Sequence, residues 1–485
     1  MSKSGRVRAA RGAAGTGGGG GGAADAAATT AAATTAAAAT AAAATTAAAT
    51  TAAATTAAAT TAAATTAAAT TAAAAAASPT PRTDAQIPSD SGRAPHVVII
   101  GGGGTGGALA HDLALRGLHV TLFEKGEITS GATGLHPGLL QSGARYAATD
   151  RPSAIESSAE NKILRRICAG SFEENDGLFV AITDEDEVYA EQFLDACWQS
   201  AVPAKRVERD VALGMEPGLN PDLRFAVQVP DATMDAMRMP LRFFATAKRH
   251  GAEIKPFTEV VALTTTGATV SGVKVRDYAA GRDYEVGADV VINAAGAWSG
   301  RVAALAGATL PITLEAGLMI AVRGRHSNMV INRLHAPADG DLVVPQRTMT
   351  VIGTKTWTAD DPEELTIPEG AVESIMREAA TLLPAIGGAG VRARWAAAQP
   401  IITPPRKRGA RRAAATAPTN AIHCVDHAAD ATPIEGFVTV VGGDATRLRA
   451  AAEAAADMVC AKLGFDCFCQ TADYVLLPHT AWYSA

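Results

Sequence analysis

The run VVIIGGGGTGG at residues 97–107 constrains this chain more than any other stretch, because an apolar segment breaks into glycines spaced to bring backbone against a pyrophosphate. Gly101, Gly103 and Gly106 satisfy G-x-G-x-x-G. Residues 108–116 follow with Leu109, Leu113 and Leu115 at near-helical spacing, and Gly117 stands where a C-cap glycine belongs. His119–Phe123 reads as the next strand. It ends at Glu124, 18 residues after Gly106, where a carboxylate accepts from ribose hydroxyls. Strand, glycine turn, helix, strand and acid in this order predict a dinucleotide site. They account for the ADP half only and leave FAD and NAD both open.

Residues 1–94 read differently. Residues 1–22 are basic and glycine-rich, and 23–77 are almost entirely Ala and Thr with a loose TTAAA repeat. Such a tract has too little apolar area to offset the entropy of ordering, so a disordered extension is expected. The uncharged stretch 26–81 lacks the Leu, Ile, Val and Phe that drive membrane insertion, so no transmembrane helix is expected there. Lys3, Arg6, Arg8 and Arg11 faintly resemble a transit peptide. The remaining 391 residues hold 36 Lys and Arg against 45 Asp and Glu, a charge of −9 that argues against nucleic acid as a partner. Cys168, Cys197, Cys424, Cys460, Cys467 and Cys469 show no C-x-x-C, so no metal site is signalled and a reducing cytoplasm is expected.

Further along, 252–263, 269–275 and 284–286 read as short strands with glycine turns, and 289–293 as a buried parallel strand. Phe437–Val441, Gly442, Gly443 and an alanine-rich helix from Ala450 form a second strand-glycine-helix unit whose N-terminus suits the oxygens of a bound cofactor. The run RKRGARR at 406–412 reads as a solvated loop or a dock for an anionic partner or membrane surface.

Beside the fingerprint stands GATGLHPGLLQSGARYAATD (131–150), then SSAENKILRRI (157–167), NDGLFV (175–180), VPDATMD (229–235), INAAGAWS (292–299), VINR (330–333), LVVP (342–345), VIGT (351–354) and GFVTVVGG (436–443). In this order the chain resembles the FAD-dependent glycerol-3-phosphate dehydrogenases, within the D-amino-acid-oxidase-like superfamily. It is most similar to the large catalytic subunit of the anaerobic enzyme. The likeness spans residues 96–478. It implies an α/β fold, with a discontinuous Rossmann-like FAD domain and an inserted antiparallel-sheet substrate domain. The expected divisions are a 1–94 extension, FAD-binding parts at 95–180 and 241–310, a cap region at 181–240, the antiparallel sheet at 311–400, and a FAD-contacting strand and helix at 401–485.

The resemblance implies FAD held by Gly101, Gly103, Gly106, Glu124, Thr133, Gly138, Gly296, Gly442 and Gly443. It implies hydride transfer from sn-glycerol 3-phosphate to flavin, giving dihydroxyacetone phosphate. Arg145 and Arg333 fall on matching cationic positions, as does Arg449, with Tyr146 beside the first; His136 is a substitute base for a family His replaced by Gln141. Other family cations are replaced by Leu135, Ala316, Gln399 and Asp444, while Lys355 is a new cation. Many such large subunits continue into a cysteine-rich domain that this sequence does not show, so membrane-anchor or electron-transfer subunits are the expected partners beside a small hydroxy substrate. The expected location is cytoplasmic, peripheral at the membrane through those partners. Three readings stay open: this dehydrogenase with an altered pocket, a flavoenzyme for a less anionic hydroxy or amino acid, and a flavoprotein subunit with impaired catalysis.

Overall fold

The structure, a computed structural model, describes residues 93–402 and 421–484. The Ala/Thr extension and the basic run 406–412 lie outside the described residues. The fingerprint strand His96–Ile100 is buried along its whole length and lies in the middle of a six-stranded sheet. The order is His423–Asp426, Phe437–Val441, Val290–Asn293, His96–Ile100, His119–Phe123 and Glu253–Lys255, all parallel except the first pair. Alternation of side chains gives the sheet two dry faces. Val97 and Ile99 pack with helices Gly104–Leu115, Arg238–Arg249 and Leu448–Leu463. Val98 and Ile100 pack under the antiparallel meander Thr258–Thr266, Thr269–Asp277 and Arg282–Gly287.

The fingerprint helix Gly104–Leu115 begins earlier than the leucine spacing alone indicates, because the glycines themselves form its first turn. Its close packing needs them: a Cβ on Gly104 would lie 2.5 Å from Leu448 Cδ1, and one on Gly107 2.9 Å from Phe244. The helix stops in a Schellman motif. Leu118 N–H donates to Leu113 O, Gly117 N–H donates to Ala114 O, and Gly117 takes φ +92°.

The second large element is an eight-stranded sheet ordered Val391–Ile402, Ile312–Arg323, Met349–Ala359, Leu342–Gln346, Val330–Arg333, Gly177–Ala181, Phe225–Val229 and Lys205–Glu208. It is antiparallel apart from one parallel pair, Val330–Arg333 with Gly177–Ala181. Residues 177–180, assigned from sequence to the first FAD-binding part, belong to this sheet as part of strand Gly177–Ala181. A short, fully buried apolar strand looks the same in either sheet, and only its long-range partner distinguishes them. Helix Ala371–Leu382 covers one face through Ile375, Ala379 and Leu382 against Leu318, Ile320 and Ile352. No helix among the described residues is long and apolar enough to cross a membrane.

Candidate active site

A cavity of about 650 Å³ opens at the carboxyl ends of the parallel strands, the usual ligand position in such sheets. Gly101, Gly103, Glu124, Thr133, Gly296, Gly442 and Gly443 line it. Gly101 takes φ +114° and a Cβ there would meet Ala294 O at 2.5 Å; a Cβ on Gly106 would lie 2.0 Å from Gly101 O. Those two glycines serve the turn and the seating of helix on strand, and Gly106 itself stands behind the wall. Gly103 is different. Its φ of −78° suits any residue, and the only heavy atom near its missing Cβ is Thr133 Oγ1 at 3.2 Å. Apart from Thr133 the protein leaves this side of Gly103 to the cavity, which gives a ligand room to pass over it.

The polar groups agree. Glu124 accepts from Gly102 N–H at 2.7 Å through Oε2 and from Gly126 N–H at 2.8 Å through Oε1, which fixes the carboxylate while each oxygen keeps a lone pair for a ribose hydroxyl. Gly104 N–H, at the helix start, donates to Thr133 Oγ1 at 2.9 Å. Gly138 lies away from the cavity, because its φ of +84° places it against Gln346 and Met234 O in a turn. Gly442 and Gly443 take φ +92° and +78°, but the next turn departs from expectation. Asp444 caps a 3-10 turn, Ala445–Arg447, ahead of the helix and accepts from Thr446 N–H at 2.9 Å, so an acid occupies a terminus expected to face flavin oxygens.

A second cavity of about 540 Å³ adjoins the first, and Ala132, His136, Ala398 and Gln399 line both. Glu315, Asp339, Asp444, Arg145 and Tyr146 supply its polar wall. His136 Nδ1 accepts from Gly138 N–H at 2.9 Å, which places the proton on Nε2, a buried atom with no partner in the protein. Burial pushes its pKa down to about 4 against the opposing pull of Asp444 and Asp235. The expected base is thus a neutral hydrogen-bond donor.

Arg333 lines neither cavity. Its Nε is 3.2 Å from Asp186, a carboxylate that also accepts from the N–H groups of Ile182 and Thr183 in the capping box of helix Asp184–Gln199. Arg449 is likewise structural, 2.9 Å from Glu160 and 2.7 Å from Glu453. Arg145 reaches the chamber, held by Asp341 at 2.7 Å and Asn332 at 3.3 Å. Ala316 is fully buried in its strand, while its neighbours Glu315 and Gly317 face the chamber. The fully buried Arg447 was not singled out from sequence. It is 3.2 Å from both Asp444 and Glu156, bonds Ser153 at 2.9 Å and stands 5.7 Å over the Tyr146 ring. Burial opposes its charge, but Asp444, Tyr146 and Glu156 outweigh burial and keep it ionised. Its proximity to Asp444, three residues away, was the signal available.

Residues 96–457 match the family described as FAD dependent oxidoreductase. The chain belongs to that family. It is 37% identical over 391 residues to the A1 chain of the anaerobic glycerol-3-phosphate dehydrogenase of Haloferax volcanii, covering 79% of this chain and 66% of the relative. It is 38% identical over 384 residues to the corresponding subunit of the anaerobic enzyme of Escherichia coli K12, covering 78% and 69%. The chain thus spans about two thirds of the length of these relatives. A glycerol-3-phosphate dehydrogenase from Bacillus halodurans, solved with FAD, superposes with TM-score 0.58 at 19% identity over 80% of this chain and 68% of that one, which shows the shared fold. FAD is the family's cofactor, and the glycine at 103, the fixed Glu124 carboxylate and the size of the first cavity fit it.

Proposed function

We propose that the chain oxidises the secondary alcohol of a glycerol skeleton, sn-glycerol 3-phosphate to dihydroxyacetone phosphate being the reaction that the names of its relatives supply. The observation that carries this reading is that Ala132, His136, Ala398 and Gln399 line both cavities, so a substrate in the second lies beside a cofactor in the first. Bound FAD supplies the hydride acceptor. Gly101, Gly103, Glu124, Thr133, Gly296, Gly442 and Gly443 hold it, with Gly106 supporting the turn. His136 donates from Nε2 to a substrate oxygen. The hydroxyl proton passes to a chamber carboxylate, Asp444 being next in the chain to the Gly442-Gly443 turn. Because the relatives are named as subunits, electrons leave toward partner proteins.

Anaerobic absorbance titration of the purified protein with sn-glycerol 3-phosphate tests the reading. Bleaching of a bound oxidised flavin supports it. A flavin that dithionite bleaches but no glycerol-type alcohol does would overturn it.

A further inference from the structure

The charges around the second cavity do not suit a dianion. Three carboxylates, Glu315, Asp339 and Asp444, line it beside one guanidinium, Arg145. The cations at or just behind the wall already have an acid. Arg145 is 2.7 Å from Asp341, Lys355 is 2.9 Å from Asp339, and Arg447 is 3.2 Å from Asp444. Glu315 is met by the Gln399 amide at 2.9 Å and by no cation among the described residues. The positions Gln399 and Asp444 are ones where the resemblance expects Arg and Lys.

Resting on the alcohol-oxidation reading above, we infer that this chamber selects the charge of its substrate: it takes a polyol bearing at most one negative charge in preference to a phosphate dianion. Carboxylates only accept hydrogen bonds, so hydroxyl groups are their complement. A glycerol skeleton presents such donors to Glu315, Asp339 and Asp444 without disturbing any ion pair. A phosphate dianion would have to draw Arg145 from Asp341 or Lys355 from Asp339, leaving a carboxylate beside it with like charge in a partly desolvated space. A phosphate monoester, whose second pKa is about 6, is mainly dianionic at pH 8. An ester of the same phosphate, or free glycerol, escapes that repulsion.

The test uses the full-length holoprotein and three probes at pH 8: sn-glycerol 3-phosphate, its phosphate methyl ester with one fixed charge, and glycerol. Half-saturating concentrations for anaerobic flavin bleaching are compared in the wild type, Asp339→Asn and Glu315→Gln. The expected result is that the monoester needs at least about tenfold more than the methyl ester. Asp339→Asn, which frees Lys355, and Glu315→Gln, which removes a charge and keeps an amide partner for Gln399, should each narrow the gap between monoester and methyl ester severalfold. Tightest action on the monoester in the wild type would overturn the charge selection and leave the alcohol-oxidation reading standing. Unchanged ratios in both variants, each with flavin bound, would also overturn it. If no probe bleaches a flavin that dithionite reduces, the reading and this inference fall together.

Discussion

The two adjoining cavities are made of different material. The dinucleotide cavity combines glycine backbone at the strand ends and a Glu124 carboxylate fixed by backbone donors with side chains such as Trp298, Arg301 and Leu448. The chamber is formed by side chains drawn from separated segments, with Arg145, Tyr146, Glu315, Asp339 and Asp444 contributed by several turns and strands. The glycine turns are set by backbone conformation, whereas the charge of the chamber is set by individual side chains from separate segments. The chemistry shared with the family therefore lies in the first cavity, and the individuality of this chain in the second.

The contrast can be broken most directly at Gly103. Gly103→Val adds atoms on the cavity wall, where Thr133 Oγ1 is the one near protein neighbour at 3.2 Å, so a folded protein that purifies without flavin is expected, checked by absorbance together with circular dichroism. A variant retaining full flavin would refute the passage of cofactor over this residue. On the chamber side, Arg447→Met leaves Asp444 and Glu156 without their buried cation and should cost about 3–5 kcal/mol in urea unfolding.

A third effect depends on pH. His111 on the fingerprint helix is fully buried, and burial, then His250 and Arg449, push its pKa down to about 3. The unfolded chain binds this proton below about 6.5 and the folded chain does not until about 3. Its contribution is therefore neutral above 6.5 and increasingly destabilising as pH falls through that window. His111→Leu should flatten the loss of the urea midpoint between about pH 7.5 and 4.5; an equally steep loss would assign acid sensitivity elsewhere.

The smallest effect concerns the loop between strand Met349–Ala359 and helix Ala371–Leu382, which connects the large sheet to the dinucleotide cavity. Glu363 accepts from Lys125 at 2.7 Å and Trp298 Nε1 at 2.9 Å, contacts that hold its carboxyl down to about 2. These residues line the first cavity. Glu363→Gln should speed FAD release about two- to threefold at low salt, with little difference in about 0.5 M salt, as flavin fluorescence after dilution would read.

The parallel sheet, the fingerprint helix and the second strand-glycine unit were legible because their signals are local: apolar runs, a glycine spacing and a cap at Gly117. The chamber was not. Arg333 had a matching position but faces Asp186, and His136 suits the role of a base only until Gly138 N–H is placed on its Nδ1. Asp186 is not announced by spacing, because a carboxylate 147 residues away meets its arginine only through the pairing of Gly177–Ala181 with Val330–Arg333, and Gly138, two residues from His136, meets the ring only through the conformation of the turn.

By itself the sequence determined that a dinucleotide-type fingerprint runs from Gly101 to Gly106 in an α/β fold and that several expected cations are missing, since those facts reside in residue type and short spacing. Only the tertiary structure decided which remaining cations are spent on neighbouring acids, which nitrogen of His136 carries its proton and which acids face the chamber. Charge compensation and protonation depend on distances of a few ångströms between segments far apart in the chain.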